Sequence, residues 1–168
     1  MNQQSDIEKI FNDAYEQYAD AIFRHCYFRV FDRDRARDLM QDAFVRTWEY
    51  LQKGEQIDNI RAFLYRVANN LVIDDVRKKK EASLDSLMEA GFNPGFDGSQ
   101  DMKNKVDEWK VLSTFKMIEK HYRDVLIMRH IDGLSPSEIA EITGESANVI
   151  SVRLHRGTQQ LRSHLKDG

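Results

Sequence analysis

The sequence predicts an all-α protein: two small helical domains joined by a flexible linker, the C-terminal one a helix-turn-helix. Three observations carry this. Apolar residues recur at three- and four-residue spacing through most of the 168 residues. Only two prolines and eight glycines interrupt them, too few for a many-stranded β fold. The helical period lapses over residues 81–107, where turn formers and acidic side chains collect. The expected division is therefore 1–80, a linker 81–107, and 108–168.

With 41% hydrophobic and 32% charged residues, the composition is that of a soluble globular chain. No run of ~18 apolar residues offers a membrane span. The N-terminal MNQQSDIEKIF has neither the basic nor the apolar region of a secretory signal. The single cysteine, Cys26, forms no internal disulfide, which fits a reducing cytoplasm, and its apolar surroundings place it in the core. The five histidines, at 25, 121, 130, 155 and 164, show no ligand spacing, so neither metal nor cofactor is expected. No Glu-x-x-His pair or phosphate-cradling glycine loop suggests an enzyme.

The net charge of −3 is unevenly spread. Residues 1–80 hold 14 basic and 14 acidic side chains, residues 81–110 hold 3 and 7, and residues 111–168 hold 8 and 7. The deficit sits in the middle. Since non-specific DNA affinity comes from neutralising phosphates, such a chain binds DNA weakly unless a partner supplies positive surface.

Taken in order, Ile7, Ile10, Phe11, Ala14, Tyr15, Tyr18, Ile22, Phe23, Cys26 and Tyr27 predict one or two amphipathic helices over 6–30. FDRDR at 31–35 is a polar break in which Asp32 or Asp34 caps the next helix. In that helix Leu39, Ala43, Phe44, Trp48 and Leu51 form the inward stripe. Asp38, Gln41, Asp42, Val45 and Glu49 lie opposite, an acidic face suited to a basic partner helix; on spacing alone a solvated face is the plainer alternative. Residues 53–59 form a loop around Gly54.

From Ile60 to Lys80, Ile60, Phe63, Leu64, Val67, Ala68 and Leu71 face inward. Arg66, Asn70, Ile73 and Arg77 share the outer face, flanked by Tyr65 and Asn69, and the helix runs out in Arg77, Lys78, Lys79 and Lys80. Cations meet phosphates, amides pair with base edges, and a tyrosine ring stacks on an unstacked base. A basic helix end in water is the plainer alternative.

One helical turn is expected near Leu84–Met88, then helices near 106–121 and 122–131, with Trp109, Leu112, Phe115, Val125, Leu126 and Met128 for a second core. Ser135, Pro136 and Glu138 spell a capping box, and Gly144 falls where a left-handed residue ends that helix. Ser146 caps the last helix, in which Ile150, Leu154, Leu161 and Leu165 recur at helical spacing. Small Ala140, turning Gly144 and inward Ile150 suit a helix-turn-helix.

Three stretches together resemble the small two-domain sigma factors of the sigma-70 class, the extracytoplasmic-function (ECF) type. DLMQDAFVRTWEYL (38–51) is similar to the family's helix that docks on the clamp of the polymerase largest subunit. RAFLYRVANNLVIDDVRKKK (61–80) is similar to its promoter-melting, minus-ten helix. YRDVLIMRHIDGLSPSEIAEITG with VRLHRGTQQLR resembles its minus-thirty-five reading domain. The resemblance implies a non-enzymatic promoter-specificity subunit acting with core RNA polymerase (clamp of the largest subunit, flap of the second-largest) and promoter DNA. It also implies an anti-sigma factor as a regulatory partner.

On this resemblance Asp38, Gln41, Asp42 and Val45 meet polymerase. Arg66, Asn70, Arg77, Lys78, Lys79 and Lys80 meet the minus-ten element. Ser151, Val152, Arg153, His155 and Arg156 enter the major groove at the minus-thirty-five element, and the acidic linker threads toward the active-site and RNA-exit region. The chain departs from the family pattern at Val149, Ser151 and Val152, where Thr, a basic residue and Ser are common, at Arg37 for an acidic residue, and at Gly157 for Ala. A stand-alone helix-turn-helix regulator is the alternative; it requires tight DNA binding without polymerase, which the charge disfavours.

Overall fold

The computed structural model describes residues 2–85 and 102–166, with side chains over 2–82 and 109–166. Contacts divide the chain into two units, Met1–Asn93 and Pro94–Gly168, with the boundary inside 81–107. Every regular element among the described residues is helical.

The first unit is a three-helix bundle of α1 (Gln3–Val30), α2 (Arg33–Gln52) and α3 (Ile60–Asp85), each packed on the other two. The apolar run over 6–30 is one unbroken helix. It stops because Phe31 takes a left-handed conformation at φ 59°, its N–H bonding Tyr27 O at 2.8 Å. Asp32 then caps α2 by accepting from Arg35 N at 3.1 Å, so two residues make the whole corner. Ile22, Cys26, Leu39, Ala43, Leu64, Ala68 and Val72 are buried where the helices meet. Phe11, Tyr15, Phe44 and Trp48 form an aromatic cluster between α1 and α2. Asn59 caps α3, its side chain accepting from Ala62 N at 3.0 Å.

Helix α3 continues past Lys80 to Asp85, and α4 begins at Met102, so helix occupies both ends of the 81–107 stretch. The turn expected near Leu84–Met88 lies outside the described residues from 86 onward.

The second unit holds α4 (Met102–Lys116), α5 (Lys120–Leu126), α6 (Pro136–Thr143) and α7 (Ala147–Lys166). A π-helical turn, Ile127–Ile131, extends α5. The break between α4 and α5 comes earlier than the periodicity suggested and without glycine or proline. Ile118 turns inward to 2% exposure, and Glu119 N is met by Gln160 Oε1 of α7 at 3.4 Å. Two expected core positions are outside. Trp109 is 53% exposed, because α4 packs on α7 through a narrow stripe centred on Phe115, ~120° away around the helix. Leu165 is 61% exposed in the last turn of α7, beside exposed Arg162, Ser163 and Lys166.

The helix-turn-helix obeys its local signals. Ser135 and Glu138 close the capping box at 3.2 and 3.0 Å, and Gly144 ends α6 at φ 76°. Ser146 Oγ accepts from Val149 N at 3.2 Å. Gly157 sits where α7 crosses α5: a Cβ there would lie 3.1 Å from Leu126 side-chain carbons and 3.2 Å from Tyr122 Cβ. Gly157→Val is therefore expected to cost about 1–3 kcal/mol by overpacking. Faster amide exchange along α5 and α7 in the full chain measures it. Unchanged protection would mean that α7 has room to back away.

Candidate protein-docking and nucleic-acid interfaces

On α2 the positions facing away from α1 and α3 form one arc. Asp38, Gln41, Asp42, Val45 and Glu49 are all exposed, and helical geometry puts them within ~100° of one another. Val45, 53% exposed, lies between Gln41 and Asp38 on that arc. The stripe behind it, Leu39, Ala43, Phe44 and Leu51, is buried, with Trp48 half-buried. Thr47 is buried too and returns its hydroxyl to Ala43 O at 2.8 Å. An acidic helix face with an apolar centre, backed by packed core, is a rigid surface for a basic helix.

On α3, Arg66, Asn70, Ile73 and Arg77 are exposed on one side, and Lys78, Lys79 and Lys80 come directly after them. Arg77 pairs with Asp74 at 3.1 Å, which places its guanidinium along this side. Two residues expected to flank this face do not. Tyr65 and Asn69 are 2% and 1% exposed. The Tyr65 ring lies edge-on to His25, 5.4 Å between centroids, and no base can stack on it. Asn69 accepts a hydrogen bond from Arg29 Nη1 of α1. The face turned inward because the end of α1 offers polar partners, a tertiary fact that α3's own spacing does not carry. One turn further on, Arg35 of α2 is ion-paired to buried Asp75. Neither arginine stood out in the sequence; an arginine four residues after a core histidine, on a helix with a mostly apolar inner stripe, was the available signal.

On α7, Ile150 and Gly157 are buried against α5 and α6. Ser151, Val152, His155 and Arg156 are exposed. Arg153 is on the flank, its Nη2 3.4 Å from Glu145 Oε1. A cleft of about 320 Å³ runs between the start of α5 and α7. His121, Tyr122, Asn148 and Val149 line it, with Val152, Arg153 and Arg156. Of the first four, Val149 stands out in the sequence only as a departure from the family pattern, while His121 and Tyr122 reach the cleft only through the fold. The walls are mostly apolar, and Arg153 and Arg156 are the cations among the lining residues, with Arg153 held by Glu145. At the end of α4, desolvation and then the Arg123 charge hold Lys116 below the ordinary lysine value. Among the described residues no three of His, Cys, Asp and Glu gather as a metal site, and no helix is long and apolar enough to cross a membrane.

Residues 14–82 match the family model of Sigma-70 region 2, and residues 110–161 that of Sigma-70 region 4. The ECF RNA polymerase sigma factor SigW of Bacillus subtilis is 32% identical over 174 residues, covering 94% of this chain and 89% of SigW. The chain belongs to the ECF sigma factors of the sigma-70 class. As one of them it directs RNA polymerase to specific promoters for initiation, and the stand-alone regulator is not favoured.

YlaC of the same organism, an RNA polymerase sigma factor, is 29% identical over 91% of this chain and 90% of its own. Two solved structures share the fold. The sigma factor RpoE of Bartonella quintana, in complex with the anti-sigma factor NepR, has a TM-score of 0.74 at 23% identity, covering 94% of this chain and 98% of that one. CnrH, in complex with the cytosolic domain of CnrY, has a TM-score of 0.72 at 20% identity, covering 95% and 90%.

The Glu145–Arg153 pair makes α7 less cationic than its sequence. Glu145→Gln is expected to raise the full chain's affinity for duplex DNA and steepen its salt dependence by about one phosphate contact. A filter-binding salt series checks this; an unchanged slope would mean Arg153 points away from the backbone.

Proposed function

We propose that this sigma factor divides its work among three exposed helix faces. Asp38, Gln41, Asp42 and Val45 of α2 dock on the clamp helices of the polymerase largest subunit. Arg66 and Asn70 of α3 take the minus-ten strand as it melts, and Arg77, Lys78, Lys79 and Lys80 track its phosphates. Ser151, Val152, Arg153, His155 and Arg156 of α7 read the minus-thirty-five element in the major groove. The observation that carries this reading is the first unit itself: one rigid bundle exposes an acidic face on α2 and a basic, amide-bearing face on α3.

The two DNA-facing parts span residues 1–80 and 108–168. The acidic stretch between them runs toward the active-site and RNA-exit region, where its charge resembles a transcript. Exposed Trp109 and Met117 on and after α4 suit the flap of the second-largest subunit. The chain works by binding and carries out no covalent step of its own, in the cytoplasm, where polymerase and promoters lie. The complex of RpoE with the anti-sigma factor NepR supports a regulatory partner of that kind here.

At the minus-thirty-five element, Arg156 to a guanine edge would contribute ~1–3 kcal/mol of discrimination, and Val152 meets a thymine methyl. Purified core polymerase plus this chain is expected to start RNA at discrete promoters, and mapping those starts yields both promoter elements. Asp38→Arg with Asp42→Arg is expected to weaken core binding by roughly 100-fold, since like charges then face a basic partner. The thermal midpoint should hold, because both side chains are exposed. Loss of the fold instead of the affinity would remove α2's outer face from the interface. Asn70→Ala is expected to slow promoter opening about tenfold with core affinity unchanged, the loss of one base contact.

A further inference from the structure

Apart from Thr47, the buried polar groups of the first unit gather around the α1–α2 corner, where partly exposed Arg35 meets one of them. Arg29 is in the last turn of α1 and Arg35 in the first turn of α2, on either side of the bend at Phe31 and Asp32. Arg29 bonds Asn69, and Arg35 bonds Asp75, both on α3. The two acceptors are 1% and 5% exposed. Their spacing puts them about 9 Å apart along α3 and about 120° apart around it. His25 joins the first link, its Nε2 3.3 Å from Arg29 Nη1. A guanidinium only donates, so the imidazole accepts.

Apolar packing by Leu64, Ala68, Leu71 and Val72 resists separation of α3 from the bundle but is not directional. Hydrogen bonds are. Two of them, at different heights and azimuths, restrain both the slide and the rotation of the helix. The restraint matters at the outer face: a ~20° rotation carries a side chain at ~6 Å radius by about 2 Å, enough to break a hydrogen bond. Stability alone does not call for these pairs, since well-packed apolar residues commonly replace a buried polar pair at no loss.

We propose that Arg29 and Arg35 are positioning residues for promoter opening. From one corner they set the rotation of α3, and with it the aim of Arg66 and Asn70. They set it relative to the docking face, which begins at Asp38, one turn after Arg35. This rests on the assignment of α3's outer face to the minus-ten strand and of α2's to polymerase.

The test replaces each link by an apolar pair in the full chain: Arg29→Met with Asn69→Leu, and separately Arg35→Met with Asp75→Leu. Three quantities are read: the thermal midpoint, the affinity for core polymerase, and the rate of promoter opening by holoenzyme, monitored by a fluorescent base analogue in the minus-ten element. Both variants should keep the midpoint and core affinity, and open DNA about tenfold more slowly, the scale of a lost network coupling. Asn69→Asp, which keeps an acceptor for Arg29, should open at close to the native rate. Native-rate opening by the double variants overturns the proposal, provided Asn70→Ala is slow in the same assay. If Asn70→Ala is also at the native rate, the α3 assignment has failed and the proposal falls with it. If neither double variant folds, the arginines hold the domain together, which also overturns a positioning role.

Discussion

Arg29 is 5% exposed, and a guanidinium so placed has to find its hydrogen bonds inside the protein. It finds one on Asn69 and one on His25, which ties the end of α1 to the middle of α3. The rest of the first unit is arranged around that tie. The chain must reverse at once after Arg29 for Arg35 to reach the same helix, and Phe31 does this in a left-handed conformation that a phenylalanine adopts only at a cost of about 1–2 kcal/mol. Asp32 recovers part of that cost as the cap of α2. Asp75 then depends on Arg35, since its second oxygen, Oδ2, is buried without a hydrogen bond among the described residues. A strained corner, a buried Arg29–Asn69 bond and a part-buried Arg35–Asp75 pair thus hold α1 and α2 to α3 from either side of the bend.

Much of this molecule is legible in its residues, and the failures share one cause. Caps and turns are readable because they are local. Asp32, Ser135 with Glu138, Gly144 and Ser146 each act within a few positions of themselves, and each does so in the fold. The exposed arc of α2 is readable because a 20-residue amphipathic helix has one apolar stripe to bury. Tyr65 and Asn69 are misplaced by spacing because polar residues at the edge of a helix read as solvated, while α1 holds a buried arginine to receive one of them. Trp109 and Leu165 are misplaced for the converse reason. An apolar residue at helical spacing is buried only where a neighbour covers it, and α4 and the end of α7 have few neighbours. The cleft beside α7 is illegible because its two walls come from α5 and α7, far apart in sequence.

Gly157 shows how a departure from a family pattern acquires a physical reason. In a helix interior glycine is worth about 1 kcal/mol less than alanine, so its presence calls for compensation. Here α7 lies close enough to α5 that even a methyl group would press on Leu126 and Tyr122. Close approach fixes α7 against the helix whose His121 and Tyr122 form the far wall of the cleft. The glycine therefore belongs to the geometry of the cleft beside α7, although it does not line it.

The exposed faces have a common composition that bears on how so acidic a chain works on DNA. Val45 on α2, Ile73 on α3, and Val149 with Val152 on α7 are apolar, between 36% and 53% exposed, and set among polar or charged neighbours. An apolar patch within a polar rim is how a surface gains affinity once a partner excludes water from it. Long-range attraction contributes little here, because the net charge is −3 and Arg153 and Arg77 are each paired with a carboxylate. Such faces discriminate at contact and attract weakly at a distance. That balance suits a subunit carried to DNA by polymerase: encounter is the carrier's task, and a strongly basic helix would hold the complex on every sequence it met.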